Sequence, residues 1–508
     1  MLTLIVSIPF LAGIALFFIK KENVSGARKL AGVASAVSFL LSLFLLNGFD
    51  NSSPDFQFVE SARWVPFLNI SYKVGVDGIS LWLVILTTFL GTLAVGFSMD
   101  QKKNACQYLA LILWLEAGTL GVFMALDTIL FYVFWELMLV PTYFLIGFWG
   151  EGKKVYATTK FVLYTLVGSL LMLVGIIWIT VIHFGATHEL TFDIQTLLQT
   201  HIPSDAQLWL FLFFFLAFAI KVPIFPFHSW LPGAYVACPI PVLILLTGAM
   251  SKTGAYGFIR FCLPLFPEAM ESMAWVIAGM AATGIVYGAW IAIAQRDLKA
   301  LVAYSSISHL GFIVLGIFAL NGNGIEGSVL QMVNHGIIAS ALFIIVGIIE
   351  KRMGSRNLND FRGLKNNMPI LYSMFMLIIL AALGLPGLNG FVGEFLILMG
   401  VWTSNSLAGF STIYVLMGLL GIVFASIYML YMFQGAMQEK GDSEPGKLKP
   451  KDINLREFSL LLPACVLVVF IGLFPKIFID PMGPSVKHAL TIEKLVNLPT
   501  EDKDQGGH

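Results

Sequence analysis

The chain has 508 residues, of which 58% are hydrophobic and only 12% charged, and its mean hydropathy is +0.85. Such a composition excludes an ordinary soluble globular protein. Lys and Arg balance Asp and Glu to a net charge of zero, so no basic face is available for nucleic acid.

Read in chain order, runs of about twenty apolar residues predict helices that cross a bilayer. Fourteen such spans emerge: 2–19, 31–47, 77–98, 107–126, 128–149, 161–183, 208–227, 239–262, 272–294, 301–320, 328–349, 369–400, 409–434 and 457–476. In the first, Lys20 and Lys21 follow the run LTLIVSIPFLAGIALFFI instead of preceding it, which reads as a retained span and not a cleaved signal. Barrel strands do not fit, because the runs are continuous, twice too long and without alternation. The expected fold class is therefore an all-α integral membrane protein.

Charge orients the spans. Connections after spans 1, 3, 5, 9, 11 and 13 carry 21 Lys and Arg, from Lys20, Lys21, Arg28 and Lys29 to Lys440, Lys447, Lys449, Lys451 and Arg456. The opposite face has seven: Arg63, Lys73, Arg260, Lys476, Lys487, Lys494 and Lys503. The positive-inside rule then places both termini on the outer side of a cytoplasmic membrane. Residues 435–456 are polar, with Gly and Pro, and read as a cytoplasmic linker. The tail from about 485 reads as a solvated or partner-contacting extension.

Of thirty basic residues, Arg260 and Lys476 stand at span ends on the opposite face, and only Lys221 and Lys252 fall in the interior of apolar spans. Glu116 (LILWLEAGTL), Glu136 (FYVFWELMLV) and Glu394 (FVGEFLILMG) share that placement. A charge at bilayer depth costs roughly 2.5–3.5 kcal/mol on insertion scales, so such residues point to an ion pathway. Span 7, AIKVPIFPFHSWLPG, sets Pro223 and Pro226 beside Lys221, freeing the carbonyls of Ala219 and Val222. Span 12, LGLPGLNGFVGEF, sets Pro386, Gly387, Asn389 and Gly390 before Glu394. Interrupted helices at membrane depth mark polar cavities and, in pairs, duplicated halves. Glu136 precedes Lys221 by 85 residues, and His309 precedes Glu394 by the same interval. The spacing predicts two inverted five-helix repeats, 107–262 and 272–434. They follow three N-terminal helices (1–106) and precede the linker and a last span with its tail (457–508).

Other features carry less. Glu116 lies twenty residues before Glu136, on the neighbouring antiparallel helix; sharing an input site and bonding locally are both open. Tyr304, Ser305, Ser306 and Ser308 could line a water chain, though hydroxyls in membrane helices more often satisfy backbone carbonyls. Cys106, Cys238, Cys262 and Cys465 are scattered singly and read as apolar packers. Gly322, Gly324 and Gly327 spell GxGxxG in an outward turn with no preceding strand, which excludes a nucleotide site. His183, His188 and His201 read as a solvated loop without a metal-ligand pattern. No metal, flavin, haem or iron–sulfur site and no hydrolytic triad is expected.

The strings FWELMLVPTYFLIGFWG (134–150), AFAIKVPIFPFHSWLP (217–232), SKTGAYGFIRF (251–261), DLKALVAYSSISHLGF (297–312), VNHGIIASALF (333–343) and LPGLNGFVGEFLIL (385–398) resemble the antiporter-like membrane subunits of respiratory complex I, the proton-pumping NADH–quinone oxidoreductase. The resemblance covers roughly residues 70–480. It implies an input glutamate at Glu136, a lysine on a broken helix at Lys221 and a connecting lysine at Lys252. It further implies central histidines, His309 and His335, and a terminal Glu394 where sister subunits and cation/proton antiporters typically have Lys. One stretch departs: after HSWLP the family commonly has Asp, often followed by Ala-His, where this chain has Gly233, Ala234 and Tyr235.

Burial disfavours the charged form of either a carboxylate or an amine, and pairing favours it, so a Glu136–Lys221 pair is a natural switch. The implied route runs from Lys221 through Lys252 and His309 or His335, with waters between, to Glu394 and the outer face. The resemblance implies no cofactor in this chain, with NAD, FMN, iron–sulfur clusters and quinone in other subunits. Its partners would be other membrane-arm subunits, the lipid bilayer and protons. Two readings stand beside it: a subunit of a multisubunit cation/proton antiporter or membrane-bound hydrogenase, and a membrane scaffold whose charges are locked pairs.

Overall fold

A computed structural model describes residues 1–20, 22–360, 363–438 and 450–496. Lys21, Arg362, Lys440, Lys447, Lys449 and Lys503, half of the 435–456 linker (439–449) and the end of the tail lie outside the described residues.

Among the described residues, twelve helices are long and apolar enough to cross a membrane, and three shorter apolar helices, Leu2–Phe18, Pro369–Ala382 and Asn389–Trp402, accompany them. Polar residues open several spans by capping free N–H groups. Asp77 and Ser80 form a capping box at Gly78–Phe97, Asp127 caps Thr128–Leu137, Asp297 caps Leu298–Ile317, and Asn454 with Glu457 opens Leu455–Leu473. Such residues sit where a span leaves the apolar layer, which is why hydropathy locates most spans to within a few residues.

Two spans run well beyond the apolar window. Lys154–Thr187 has 34 residues and Gly322–Met353 has 32, because a helix continues into the polar zone without hydrophobic residues. Two expectations change as a result. His183 is not in a solvated loop; it lies in the first of these helices, buried, with Nδ1 2.7 Å from the Thr200 hydroxyl. The GxGxxG glycines form the first turns of the second helix, which Asn321 caps, and not a free turn.

Between spans 2 and 3 lies a hairpin that apolar runs do not reveal. Strands Gln57–Val65 and Ile70–Val76 pair antiparallel through a turn in which Asn69 adopts the left-handed conformation. The tail departs from expectation too. Residues 482–496 are helical, and Met482 and Val486 are buried. The Gly78 N–H donates to the Ser485 hydroxyl at 3.1 Å, and a Cβ on Gly78 would fall 1.7 Å from the Pro481 carbonyl oxygen. Only glycine permits that contact.

Spans 8 (Ile240–Leu265) and 11 (Gly322–Met353) form the centre of the bundle and are surrounded on all sides. Peripheral spans turn Leu163, Leu170, Val181, Ile413, Leu416 and Val423 outward. The four cysteines are free and buried.

Both expected interruptions are present. Ser204–Lys221 stops at Lys221, and the chain resumes through Phe227–Trp230 and Leu231–Ala237. Pro369–Ala382 and Asn389–Trp402 flank the second gap. The Ala219 carbonyl, expected to be freed by Pro223, accepts the Ile224 N–H at 2.9 Å, and the Trp230 indole caps the Ile220 carbonyl at 2.9 Å. The second gap closes alike, Leu385 N–H to the Leu380 carbonyl at 3.1 Å. A third interruption is added to these two. Span 5 divides at Met138 into Thr128–Leu137 and Leu139–Trp149, because Pro141 cannot donate to the Leu137 carbonyl. Glu136 stands at that joint.

Candidate functional site

Lys252 lies in the centre of span 8 between two π-helical stretches, Leu246–Met250 and Phe258–Cys262. In the first, the Ser251 N–H reaches back five residues to the Leu246 carbonyl, and such turns leave neighbouring carbonyls available. The Lys252 ammonium uses one of them, donating to the Thr247 carbonyl. It also reaches the Ser251 hydroxyl at 3.3 Å and His335 Nδ1 at 2.7 Å. Lys252 is completely buried.

The line continues without a break in side-chain contact. The rings of His335 and His309 have centroids 5.7 Å apart, and His309 Nδ1 lies 3.0 Å from Glu394 Oε1. With Lys252 donating, His335 Nδ1 is an acceptor and its proton sits on Nε2; His309 in turn donates from Nδ1 to the carboxylate. His309 Nε2 is buried and unpartnered, which leaves it free to accept a proton. Glu394 Oε1 also accepts from the Gln331 amide at 3.3 Å, while Oε2 faces Gly384 across the gap in span 12. His309, Gln331, His335, Gly390 and Glu394 line one small cavity there.

Gln331, Asn334 and Asn389 belong to this site as well, though none of them is a charge in an apolar run. The Asn334 amide donates to the Asn389 carbonyl at 2.7 Å and to Gln331 Oε1 at 3.4 Å. Asn334 Oδ1 and both side-chain polar atoms of Asn389 are buried without partners. The sequence does hold a signal for them: Ser328, Gln331, Asn334 and His335 fall at helical spacing, a polar stripe on an otherwise apolar span. Of the hydroxyls in span 10, Ser306 only satisfies the Val302 carbonyl (2.9 Å), whereas Ser305 accepts from Tyr428 (3.1 Å).

The other half is arranged differently. Lys221 is buried at the last turn of its helix, its ammonium 4.9 Å from the centroid of the Trp135 ring. No ion pair within 4.0 Å joins it to Glu136, whose Oε1 is buried and without a hydrogen-bond partner. The expected Glu136–Lys221 pair is therefore open in this structure. Glu116 is wholly buried, and neither of its carboxylate oxygens has a partner. It fits under Gly91, where a Cβ would stand 2.3 Å from its carboxyl carbon. Gly118 and Gly121, on the helix of Glu116, let Met138 and Phe134 of span 5 pack closely, so Glu116 and Glu136 lie on adjoining helices without touching. The two lysine helices meet at Gly254, where a Cβ would sit 3.1 Å from that of Lys221. Among the described residues no group of three His, Cys, Asp or Glu could hold a metal.

Residues 125–424 match the family described as NADH:quinone oxidoreductase/Mrp antiporter, TM, and the chain belongs to that family. Relatives that match nearly its whole length carry a narrower name. NADH-quinone oxidoreductase subunit M of Rhodobacter capsulatus is 38% identical over 504 residues, 96% of each chain. NADH-ubiquinone oxidoreductase chain 4 of Arabidopsis thaliana is 40% identical over 484 residues, covering 94% of this chain and 95% of its own. Among solved structures, a chain of respiratory complex I from Thermus thermophilus superposes with a TM-score of 0.87 at 30% identity. The match covers 97% of this chain and all of that one. A chain of the Mrp complex from Dietzia shares the fold, with a TM-score of 0.82 at 22% identity.

Proposed function

We propose that this chain is the proton-translocating subunit M, or chain 4, type of an NADH–quinone oxidoreductase, seated in the membrane arm beside other subunits. NADH-to-quinone electron transfer takes place elsewhere in the assembly, where NAD, FMN, iron–sulfur clusters and quinone reside. The observation that carries the reading is the buried contact line Lys252–His335–His309–Glu394. Lys, His and Glu in hydrogen-bond or ring contact can hand a proton from one to the next, since each holds it in one state and accepts it in another.

In this reading Glu136 controls Lys221. Its approach favours the charged lysine, and its withdrawal removes that support so that a proton can leave towards Lys252. Glu116 supplies a second carboxylate near the input joint. Glu394 releases to the outer side of the cytoplasmic membrane, on which both termini lie, while the basic connections face the cytoplasm. The first five-helix repeat contributes two interrupted spans, 5 and 7, and the second contributes span 12. A scaffold of locked ion pairs fits less well, because the Glu116 oxygens and Glu136 Oε1 are unpartnered.

The test is proton pumping in inverted membrane vesicles carrying Lys221→Ala, with NADH oxidation followed in parallel. Collapse of pumping in an assembled complex is the expected result. Undiminished pumping would defeat the reading.

A further inference from the structure

At the end of the bundle that carries the basic connections lies a cavity of about 370 Å³ that the route above does not use. Glu151, Lys299 and Glu350 line it, with Tyr108, Ile240 and Gly347 among its walls. Lys299 is only 2% exposed and is held by Glu350 at 3.2 Å and Glu151 at 4.0 Å. Charged groups at a funnel of this kind collect and exchange protons with water.

One helical turn from Gly347 in the cavity wall, Phe343 sets its ring 5.9 Å from that of Tyr235, which is fully buried in the helix Leu231–Ala237. The Tyr235 hydroxyl lies beside those of Thr247 and Ser251, with no well-directed hydrogen bond to either. The Thr247 hydroxyl is likewise buried and unpartnered. Two unsatisfied buried hydroxyls side by side make a natural seat for water. Thr247 and Ser251 are the residues whose carbonyl and hydroxyl hold the Lys252 ammonium. From Ile240, in the cavity wall, to Thr247 is seven residues, on the order of 10 Å of helix.

We infer that Tyr235 is a proton-positioning residue on an inlet from this cavity that resupplies Lys252, while Glu136 and Lys221 still gate the line, so that loss of either stops pumping. It rests on the proton-translocation reading above. Once Lys252 has passed its proton to His335 and become a neutral amine, it is refilled from this side. The phenol oxygen takes a proton from a water on the cavity side. Its own proton leaves to a water held by Thr247 and Ser251, which protonates the amine. Tyr235 ends unchanged, and one proton has moved inward.

The experiment measures NADH-driven pumping per assembled complex in inverted vesicles for Tyr235→Phe and Thr247→Val. A loss on the order of tenfold is expected for each, the rate equivalent of one hydrogen bond in the barrier. The double variant should lose no more than either single one. Tyr235→His, whose imidazole can also relay a proton, should retain most of the rate. The inference is overturned if Tyr235→Phe pumps normally while Lys221→Ala does not, or if variants lower the amount of complex and leave pumping per complex unchanged. If Tyr235→Phe fails to assemble, the near-isosteric Thr247→Val decides alone. Normal pumping in Lys221→Ala would instead bring down the underlying reading.

Discussion

The two halves of the chain place an acid–base couple at the same separation, yet hold it in opposite states. In the second half His309 and Glu394 are joined at 3.0 Å and tied further to Gln331. In the first half Glu136 and Lys221 are unjoined, the carboxylate at the proline joint of span 5 and the ammonium against the Trp135 ring. Environment explains the difference. Glu394 lies among amides and a histidine in the middle of the bundle, whereas Glu136 is half-buried at its margin. A couple that is enclosed can stay closed; a couple at the margin can be opened or shut by whatever covers it. The arrangement suits a device in which one end is controlled and the other conducts.

The sharpest way to break this contrast is at the controlling end. Glu136→Gln removes the charge and keeps the shape, and should abolish pumping while the complex still assembles. Vesicle acidification and a native gel would check both halves of that statement. His309→Leu attacks the conducting end, leaving the Glu394 carboxylate with one partner. A loss on the order of a hundredfold in pumping is expected, the low end for a positioned proton-transfer group.

Gly384→Ala should act on the backbone of the gap and on Glu394 together. At φ +73° an alanine is strained, and its Cβ would lie 3.1 Å from Glu394 Oε2. We expect about 1–3 kcal/mol of destabilisation, seen as a lower midpoint of thermal unfolding of the purified complex. Trp135→Leu is the mildest change. It removes the ring over which Lys221 rests, a contact of about 1–2 kcal/mol when desolvated. Pumping rate at saturating NADH should change several-fold at most, and no effect would mean the lysine is held by something else.

Much of this arrangement is legible in the sequence. Proline, glycine and single charges inside apolar runs are rare enough to stand out, so the breaks at Lys221 and before Glu394 are visible in the residues themselves. Helix caps and polar helix ends carry no hydropathy signal, which is why spans 6 and 11 are longer than their apolar runs and why His183 reads wrongly as a loop residue. The hairpin at 57–76 escapes because its alternation is short and lies outside any apolar run. Pro141 is plain to see, but a single proline is often accommodated within a membrane helix, and its bearing on Glu136 emerges only at the three-dimensional joint. Whether a pair is open or closed is set by a few ångströms of packing, which no spacing encodes.

The π-helical stretches on either side of Lys252 have a consequence for anyone who draws span 8 as a helical wheel. Each five-residue turn inserts a surplus residue, and each surplus rotates everything beyond it by about 100°. A regular wheel started at Ile240 therefore points Lys252 at the wrong neighbour, and one started at Leu265 errs as well. The face that meets His335 exists only because the helix is out of step with itself.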